Sequence, residues 1–160
     1  MADTRTREQR SRIMSAIKGK HTMPERELRR GLHAAGIRGW RTHYKRIAGT
    51  PDLAWPALRV AVFVDGAFWH GHPSRHRPGR SGVYWDKKIS TNMARDRRVD
   101  KELSNAGWRV LRIWDFEVRK SLPEVIERVS ETLRQRIEGT PAAAWQRELS
   151  HSTPSSSPST

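Results

Sequence analysis

Three residues near one another in the chain have the types and spacing for phosphate chemistry. Asp52 follows Gly49-Thr50-Pro51 and leads into an apolar stretch. Asp65 closes the run Val60-Ala61-Val62-Phe63-Val64, and His70 ends the Gly66-Ala67-Phe68-Trp69-His70 segment behind it. Taken singly, each is commonplace. An Asp after proline is an ordinary turn residue, Asp-Gly is a common turn pair, and a lone histidine in a loop usually does nothing. Together they flank a pair of strands, and two carboxylates brought close favour a hard divalent cation with oxygen ligands. Such a cation polarises a phosphate, lowers the pKa of bound water and stabilises a leaving oxygen. His70 lies beyond the strand that carries Asp65, so it can face the same site as a general base or proton shuttle.

The elements needed to hold these residues are visible in the pattern. Val60–Val64 is β-branched and apolar, the composition of a buried strand, and Pro51–Trp55 reads as its partner. Trp40–Tyr44 alternates weakly and predicts an edge strand, while Trp108–Trp114 is a third core strand. Thr22-Met23-Pro24-Glu25 is a capping-box pattern that opens a helix to about Ala35, stopped by Gly36. A long helix is predicted from about Val83 to Ala106, ended by Gly107. A final helix from Leu122 carries Val125, Ile126, Val129, Leu133 and Ile137 at helical spacing. Ile13, Met14 and Ile17 suggest a short amphipathic helix within residues 1–20. The stretch Gly71–Gly82 is a basic loop by composition. The order predicts one mixed α/β domain over residues 1–139, with a central sheet flanked by helices. Residues 140–160 are expected to form a disordered tail rich in Pro, Ser and Thr.

Charge indicates the partner. The 160 residues hold 31 Lys and Arg against 17 Asp and Glu, a net charge of +14, and the pI is about 11.3. That balance points first to nucleic acid and second to an anionic membrane surface. Residues 5–46 alone carry thirteen Lys and Arg against three acids, which favours a phosphate-facing surface there. No run approaches the ~18 apolar residues of a spanning helix, and the N-terminus has no hydrophobic signal segment. With no cysteine there is neither a disulfide framework nor a thiolate metal site, which fits a cytoplasmic setting. Seven tryptophans in a basic chain are candidates to stack on bases or wedge between them, besides filling the core.

Several motifs, in order, resemble one family. They are Arg10-Ser-Arg-Ile-Met14-Ser-Ala-Ile, Gly49-Thr-Pro-Asp52, Val62-Phe-Val-Asp-Gly-Ala-Phe-Trp-His70-Gly, Tyr84-Trp85-Asp-Lys-Lys88-Ile-Ser-Thr-Asn92-Met-Ala-Arg-Asp96-Arg-Arg and Gly107-Trp-Arg-Val-Leu-Arg-Ile-Trp114. Over roughly residues 8–138 the chain is similar to the very-short-patch repair (Vsr-like) DNA mismatch endonucleases. The resemblance implies a restriction-endonuclease-like (PD-(D/E)XK-type) fold and Mg²⁺ as cofactor. It implies nicking of one strand 5′ to the thymine of a T:G mismatch, the lesion left when 5-methylcytosine deaminates.

By position, the resemblance makes Asp52 and the backbone carbonyl of Val64 metal ligands and His70 the general base. Glu25 would support the site through a metal-bound water, besides partnering Thr22 in the capping box. Asp96 would assist on the leaving-group side, although a surface charge on its helix is the plainer reading. Phe68, Trp69 and Met14 would form the wedge beside the mismatch, with Lys88 and Asn92 touching it. Packing in the core is the plain alternative for the two aromatics, and burial on its own helix face for Met14.

The chain departs from the family pattern twice. Some members have histidine in the place of Asp65, so an Asp there could join the metal shell instead of relaying a proton. Members commonly hold a structural zinc near positions 67, 72–76 and 116, where this chain has Ala67, His72, Ser74, His76 and Phe116. Two histidines are too few for a four-ligand zinc site, so the loop must be held by packing such as Ala67 against Phe116.

The expected partner is double-stranded DNA carrying a T:G mismatch, bound by a monomer with no membrane attachment. Mismatch-repair proteins are candidate partners, and the expected setting is the bacterial cytoplasm, with the nucleoid. Two alternatives stay open: a non-catalytic mismatch-binding module, and a nuclease of broader mismatch or branched-DNA specificity.

Overall fold

The computed structural model describes residues 22–139. The helix expected within residues 1–20, Met14 on it, and the tail from residue 140 lie outside the described residues. In chain order the elements are α1 (Met23–Ala34), β1 (Arg41–Thr42), β2 (Leu53–Trp55), β3 (Val60–Asp65), α2 (Val83–Asn105), β4 (Arg109–Trp114), α3 (Asp115–Lys120) and α4 (Leu122–Glu138). One four-stranded sheet has the order β1-β2-β3-β4. β1 pairs antiparallel with β2 and β2 with β3, while β4 returns through α2 to pair parallel with β3.

The period of two along β3 sorts its side chains between two apolar layers. Val60 and Val62, with Leu53, Trp55 and Ile113, pack against Leu28 and Leu32 of α1, Val118 of α3, and Val125, Val129 and Leu133 of α4. Ala61 and Phe63 face the other way, onto Leu103 of α2. This alternation places Asp65, two residues beyond Phe63, on the α2 side. Arg112 lies opposite Phe63 in the β3–β4 register and shares that side.

Most boundaries agree with the sequence pattern. Helix α1 ends where Gly36 takes φ +80° and Ile37 N–H bonds to Leu32 O at 3.0 Å, a left-handed cap. Three features differ. The edge strand predicted over residues 40–44 keeps only Arg41–Thr42, because His43 turns out of it with φ 46°. The predicted capping box does not close, since the Thr22 hydroxyl donates to Glu25 Oε1 at 3.1 Å and makes no backbone cap. Helix α3 was absent from the pattern. It begins directly where β4 stops, its first turn secured by Trp114 N–H donating to the Glu117 carboxylate at 2.7 Å.

Candidate active site

At the ends of β3 and β4, where Asp65 and Trp114 close the parallel pair, a cleft of about 1240 Å³ opens. Glu25, Asp52, Asp65, His70, Asp96 and Arg112 all line it. The five catalytic candidates read from the sequence therefore meet in one place, drawn from α1, β3, α2 and two turns. They form two groups, Glu25 with His43 and Asp52, and Asp65 with His70 and Asp96.

Asp52 is delivered by a strained turn. Gly49 and Thr50 both have positive φ, 76° and 50°, ahead of Pro51. A Cβ at Gly49 would sit 2.5 Å from Val99 and 3.1 Å from Phe63, so only glycine lets the turn lie against α2. A threonine in the left-handed region is costly and persists only where its surroundings hold it. The backbone of His43 and Tyr44 supplies that hold, donating to Asp52 O at 3.1 Å and to Pro51 O at 3.2 Å.

The carboxylate so placed accepts the Val64 N–H at 2.7 Å on Oδ2. Burial pushes its pKa up to about 7. The Val64 hydrogen bond opposes that shift, and the charges of Glu25 and Asp65 add to it. Glu25 is buried at 3 % exposure. His43 lies between the two acids, Nε2 3.5 Å from Glu25 Oε2 and Nδ1 3.9 Å from Asp52 Oδ1. It was missed in the sequence because a weak edge strand gave no reason to single it out.

On the other side of the cleft, His70 Nδ1 lies 2.5 Å from Asp96 Oδ2 and 3.8 Å from Asp65 Oδ1. Asp96 is thus no plain surface charge. With Nδ1 facing these acids, the tautomer that donates from Nδ1 leaves the Nε2 lone pair unprotonated. Asp65 is 4 % exposed, and burial raises its pKa against the lowering effect of His70 and Arg112. Both its oxygens accept from Arg112 Nη1, at 2.9 and 3.1 Å. Arg112 was the second residue that sequence reading missed.

Phe68 and Trp69 are half-buried, neither core residues nor fully exposed. Their rings meet edge to face with centroids 5.4 Å apart, and Trp85 packs 5.4 Å from Trp69. Tyr84, 60 % exposed, extends the aromatic group outward. Lys88 Nζ sits 5.3 Å from the Trp69 ring and 5.6 Å from the Trp85 ring. Asn92 Nδ2 donates to Trp69 O at 3.1 Å, fixing the backbone that carries the ring.

The loop after His70 is tied down by polar and aromatic contacts. Asp86, in the first turn of α2, accepts from Gly79 N–H at 2.7 Å and pairs with His76 Nε2 at 2.9 Å. Those two bonds hold its carboxyl below the usual carboxylate range. His72 donates its N–H to Ala67 O at 2.8 Å, and its ring centroid lies 5.0 Å from Phe116 and 4.8 Å from Trp114. Ala67 itself donates its N–H to Asp115 Oδ1 at 3.2 Å.

The model of the family described as DNA mismatch endonuclease Vsr matches residues 2–76. The DNA mismatch endonuclease Vsr of Escherichia coli (strain K12) is 33% identical over 146 residues, covering 90% of this chain and 93% of that protein. The chain belongs to the Vsr family. Two further relatives are called type II nicking enzymes. V.XorIIP of Xanthomonas oryzae pv. oryzae is 41% identical over 120 residues (74% of this chain, 88% of that protein). V.NaeI of Lentzea aerocolonigenes is 39% identical over 140 residues (84% and 82%). Vsr membership brings the restriction-endonuclease-like fold, to which the mixed sheet with helices on both faces belongs. Among the described residues, no helix is long and apolar enough to cross a membrane.

Proposed function

We propose that this Vsr-family endonuclease uses Mg²⁺ to nick one DNA strand 5′ to the thymine of a T:G mismatch. The observation that carries the reading is the joining of Asp52 and the His70–Asp96 pair in one cleft. The donor set fits a hard cation. Asp52 is a half-buried carboxylate whose pKa of about 7 reflects its desolvation and the acids beside it, the situation a divalent ion relieves. Asp52 would hold the ion together with the carbonyl of Val64. In a strand, the N–H and C=O of one residue point the same way, and the Val64 N–H points at Asp52. Glu25 would contribute through a water. Bound there, Mg²⁺ supplies charge stabilisation at the phosphate and a more acidic water.

The chain's own residues do the rest. His70 Nε2 accepts the proton of the attacking water as that water's oxygen bonds to phosphorus and the P–O bond to the leaving nucleotide breaks. Asp96, which the resemblance puts on the leaving-group side, here takes the Nδ1 hydrogen bond and stabilises the imidazolium that forms, as a carboxylate behind a histidine base does. Met14, Phe68 and Trp69 serve as the wedge, and Lys88 and Asn92 choose the mismatch. The Asn92 bond to Trp69 O supports a positioning part for Asn92 within that group. The basic surface binds phosphates irrespective of sequence. A non-catalytic binding module would have no use for Asp52, His70 and Asp96 in one cleft.

The test is a panel of end-labelled duplexes identical except for one base pair. With Mg²⁺, the T:G duplex should be nicked once, on the thymine strand, and the matched duplexes left intact. Equal cutting of matched and mismatched duplexes would overturn the specificity.

A further inference from the structure

Arg112 is heavily bonded in the cleft, and the proposed nuclease chemistry gives it no part. Its Nη1 donates to both oxygens of Asp65, and its Nη2 and Nε grip Asp100 at 2.7 and 2.9 Å. Nη1 also lies 3.7 Å from Asp96 Oδ1, and the guanidinium covers the Phe63 ring at 4.4 Å. Burial works against this cation. The carboxylates of Asp100, Asp65 and Asp96 outweigh it and raise the Arg112 pKa above its ordinary value. Arg112 is charged at any working pH.

The geometry around His70 gives this fork a consequence. Two carboxylates lie near Nδ1, Asp96 at 2.5 Å and Asp65 at 3.8 Å, and one Nδ1 proton can satisfy only one of them well. Asp65 comes from β3, Asp96 from α2 and Arg112 from β4, while Lys88 and Arg95 stand on the cleft wall. Among the described residues, Arg112 is the cation in contact with both acids. With its two oxygens engaged by Nη1, Asp65 is a poor rival for the histidine proton.

We propose that Arg112 is a positioning residue: by occupying Asp65 it reserves the Nδ1 proton of His70 for Asp96, and so aims Nε2 as the base. The inference rests on His70 acting as that base. It also gives Asp65 a part, that of a fixed charge seated between Arg112 and His70, outside the metal shell. The register predisposes the arrangement. Arg112 and Asp65 project on the same side of neighbouring parallel strands, and Asp96 and Asp100 lie one turn apart on α2.

The test separates competition for the proton from simple packing. The variants are R112Q, R112K, D65N and D65N/R112Q. The first readout is the low-field proton resonance of His70 Nδ1–H in metal-free protein, which needs no catalysis. The second is the single-turnover nicking rate of a T:G duplex with Mg²⁺, alongside DNA affinity by gel shift. Wild type should show the resonance. R112Q should lose it and nick about a hundredfold more slowly, the range expected for a displaced general base, with affinity within about threefold. D65N/R112Q should regain the resonance and recover to within about tenfold of wild type, because the rival carboxylate is gone.

If R112Q does not fold, R112K carries the test. Its single ammonium keeps the charge but cannot span Asp65 and Asp100, so it should be intermediate, and D65N should improve it. An unchanged resonance and rate in R112Q would overturn the proposal, as would a double variant no better than the single one. A wild-type protein that shows the resonance pattern yet never nicks would leave the Arg112 arrangement standing and remove the nuclease reading.

Discussion

His70 and Asp96 lie 26 positions apart in the chain, and the fold brings Nδ1 of one to 2.5 Å from Oδ2 of the other. The turn after β3 carries the imidazole and the middle of α2 carries the acid, so the pair exists only when the β3–α2–β4 unit is assembled. Asp96→Asn keeps the shape but offers an amide that can present either end. It should slow nicking about 10- to 100-fold while leaving duplex affinity within about threefold. Single-turnover rates with protein in excess check this. A wild-type rate would show that Asp96 does not serve the base.

Asp52 makes the metal-free protein sensitive to pH. Its folded pKa of about 7 lies above the ordinary carboxylate value, so between about pH 4 and 7 the folded chain keeps a proton the unfolded chain has lost. That contribution is fully present below the unfolded pKa and is lost as pH rises through 7. Asp65, also raised, adds a slope of the same sign. The metal-free Tm should therefore fall on going from pH 5 to 8, and Asp52→Asn should flatten part of that fall. The metal competes with the same proton, so Mg²⁺ affinity should weaken by about tenfold per pH unit below 7. Thermal melts with and without Mg²⁺ at pH 6 and 8 read both effects. A Mg²⁺-induced rise in Tm no smaller at pH 6 than at pH 8 would contradict the assignment.

As a wedge, Phe68 and Trp69 must be separable from the core of the sheet. Phe68 and Trp69 pack on Trp85 and under Lys88, apart from the two apolar layers of the sheet. Unstacking a base step costs roughly a few kcal/mol, and least where pairing is already weak. Replacing both rings with alanine should lower T:G-specific binding and nicking at least tenfold. Non-specific affinity and its salt slope, which rest on Lys and Arg, should change little. A fluorescent base analogue beside the mismatch should brighten with wild type and stay quenched with the double variant. Loss of the circular dichroism spectrum in that variant would instead make the rings structural.

How much of this could be read from the sequence divides by period and by distance. The β3 run and its Asp65-Gly66 end were legible because a buried strand concentrates β-branched residues. Helix α4 was legible because its apolar residues recur at helical spacing, and the end of α2 because Gly107 marks a clear stop. Arg112 was not. In Arg109-Val-Leu-Arg-Ile-Trp the two arginines, three apart, read as ordinary solvent-facing charges, and only the pairing with β3 puts Arg112 opposite Phe63 beside Asp65. Its available signal was Asp96 and Asp100, two acids four apart on one helix face in a chain otherwise crowded with cations. His43 escaped because its role depends on a left-handed backbone that no local pattern announces. Helix α3 escaped because an apolar strand runs straight into it, leaving only Glu117, three residues after Trp114, to mark its start.

The loop between His70 and α2 should depend on Asp86 in place of a metal. Ala67 and Phe116 offer no ligand, while His76 and His72 are engaged with Asp86, and with Ser74, Trp114 and Phe116. Dialysed protein should contain no stoichiometric zinc by elemental analysis. Asp86→Ala should lower Tm by several degrees, losing two charge-assisted bonds, and nicking should fall with it. One tightly held zinc per chain would show that other residues complete a site.

The Asp52 cleft should hydrolyse DNA with a divalent ion, separably from binding. The most direct measurement uses one labelled T:G duplex with wild-type protein and Asp52→Ala, each in Mg²⁺ and in EDTA, with gel shifts run in parallel. Wild type should nick the thymine strand in Mg²⁺ and not in EDTA. Asp52→Ala should bind the duplex with affinity within about threefold and nick at least a thousandfold more slowly, since a metal ligand acts on the transition state while cations supply the affinity. Nicking by Asp52→Ala at the wild-type rate would show that Asp52 does not carry the hydrolysis, and nicking by wild type in EDTA that a divalent ion does not.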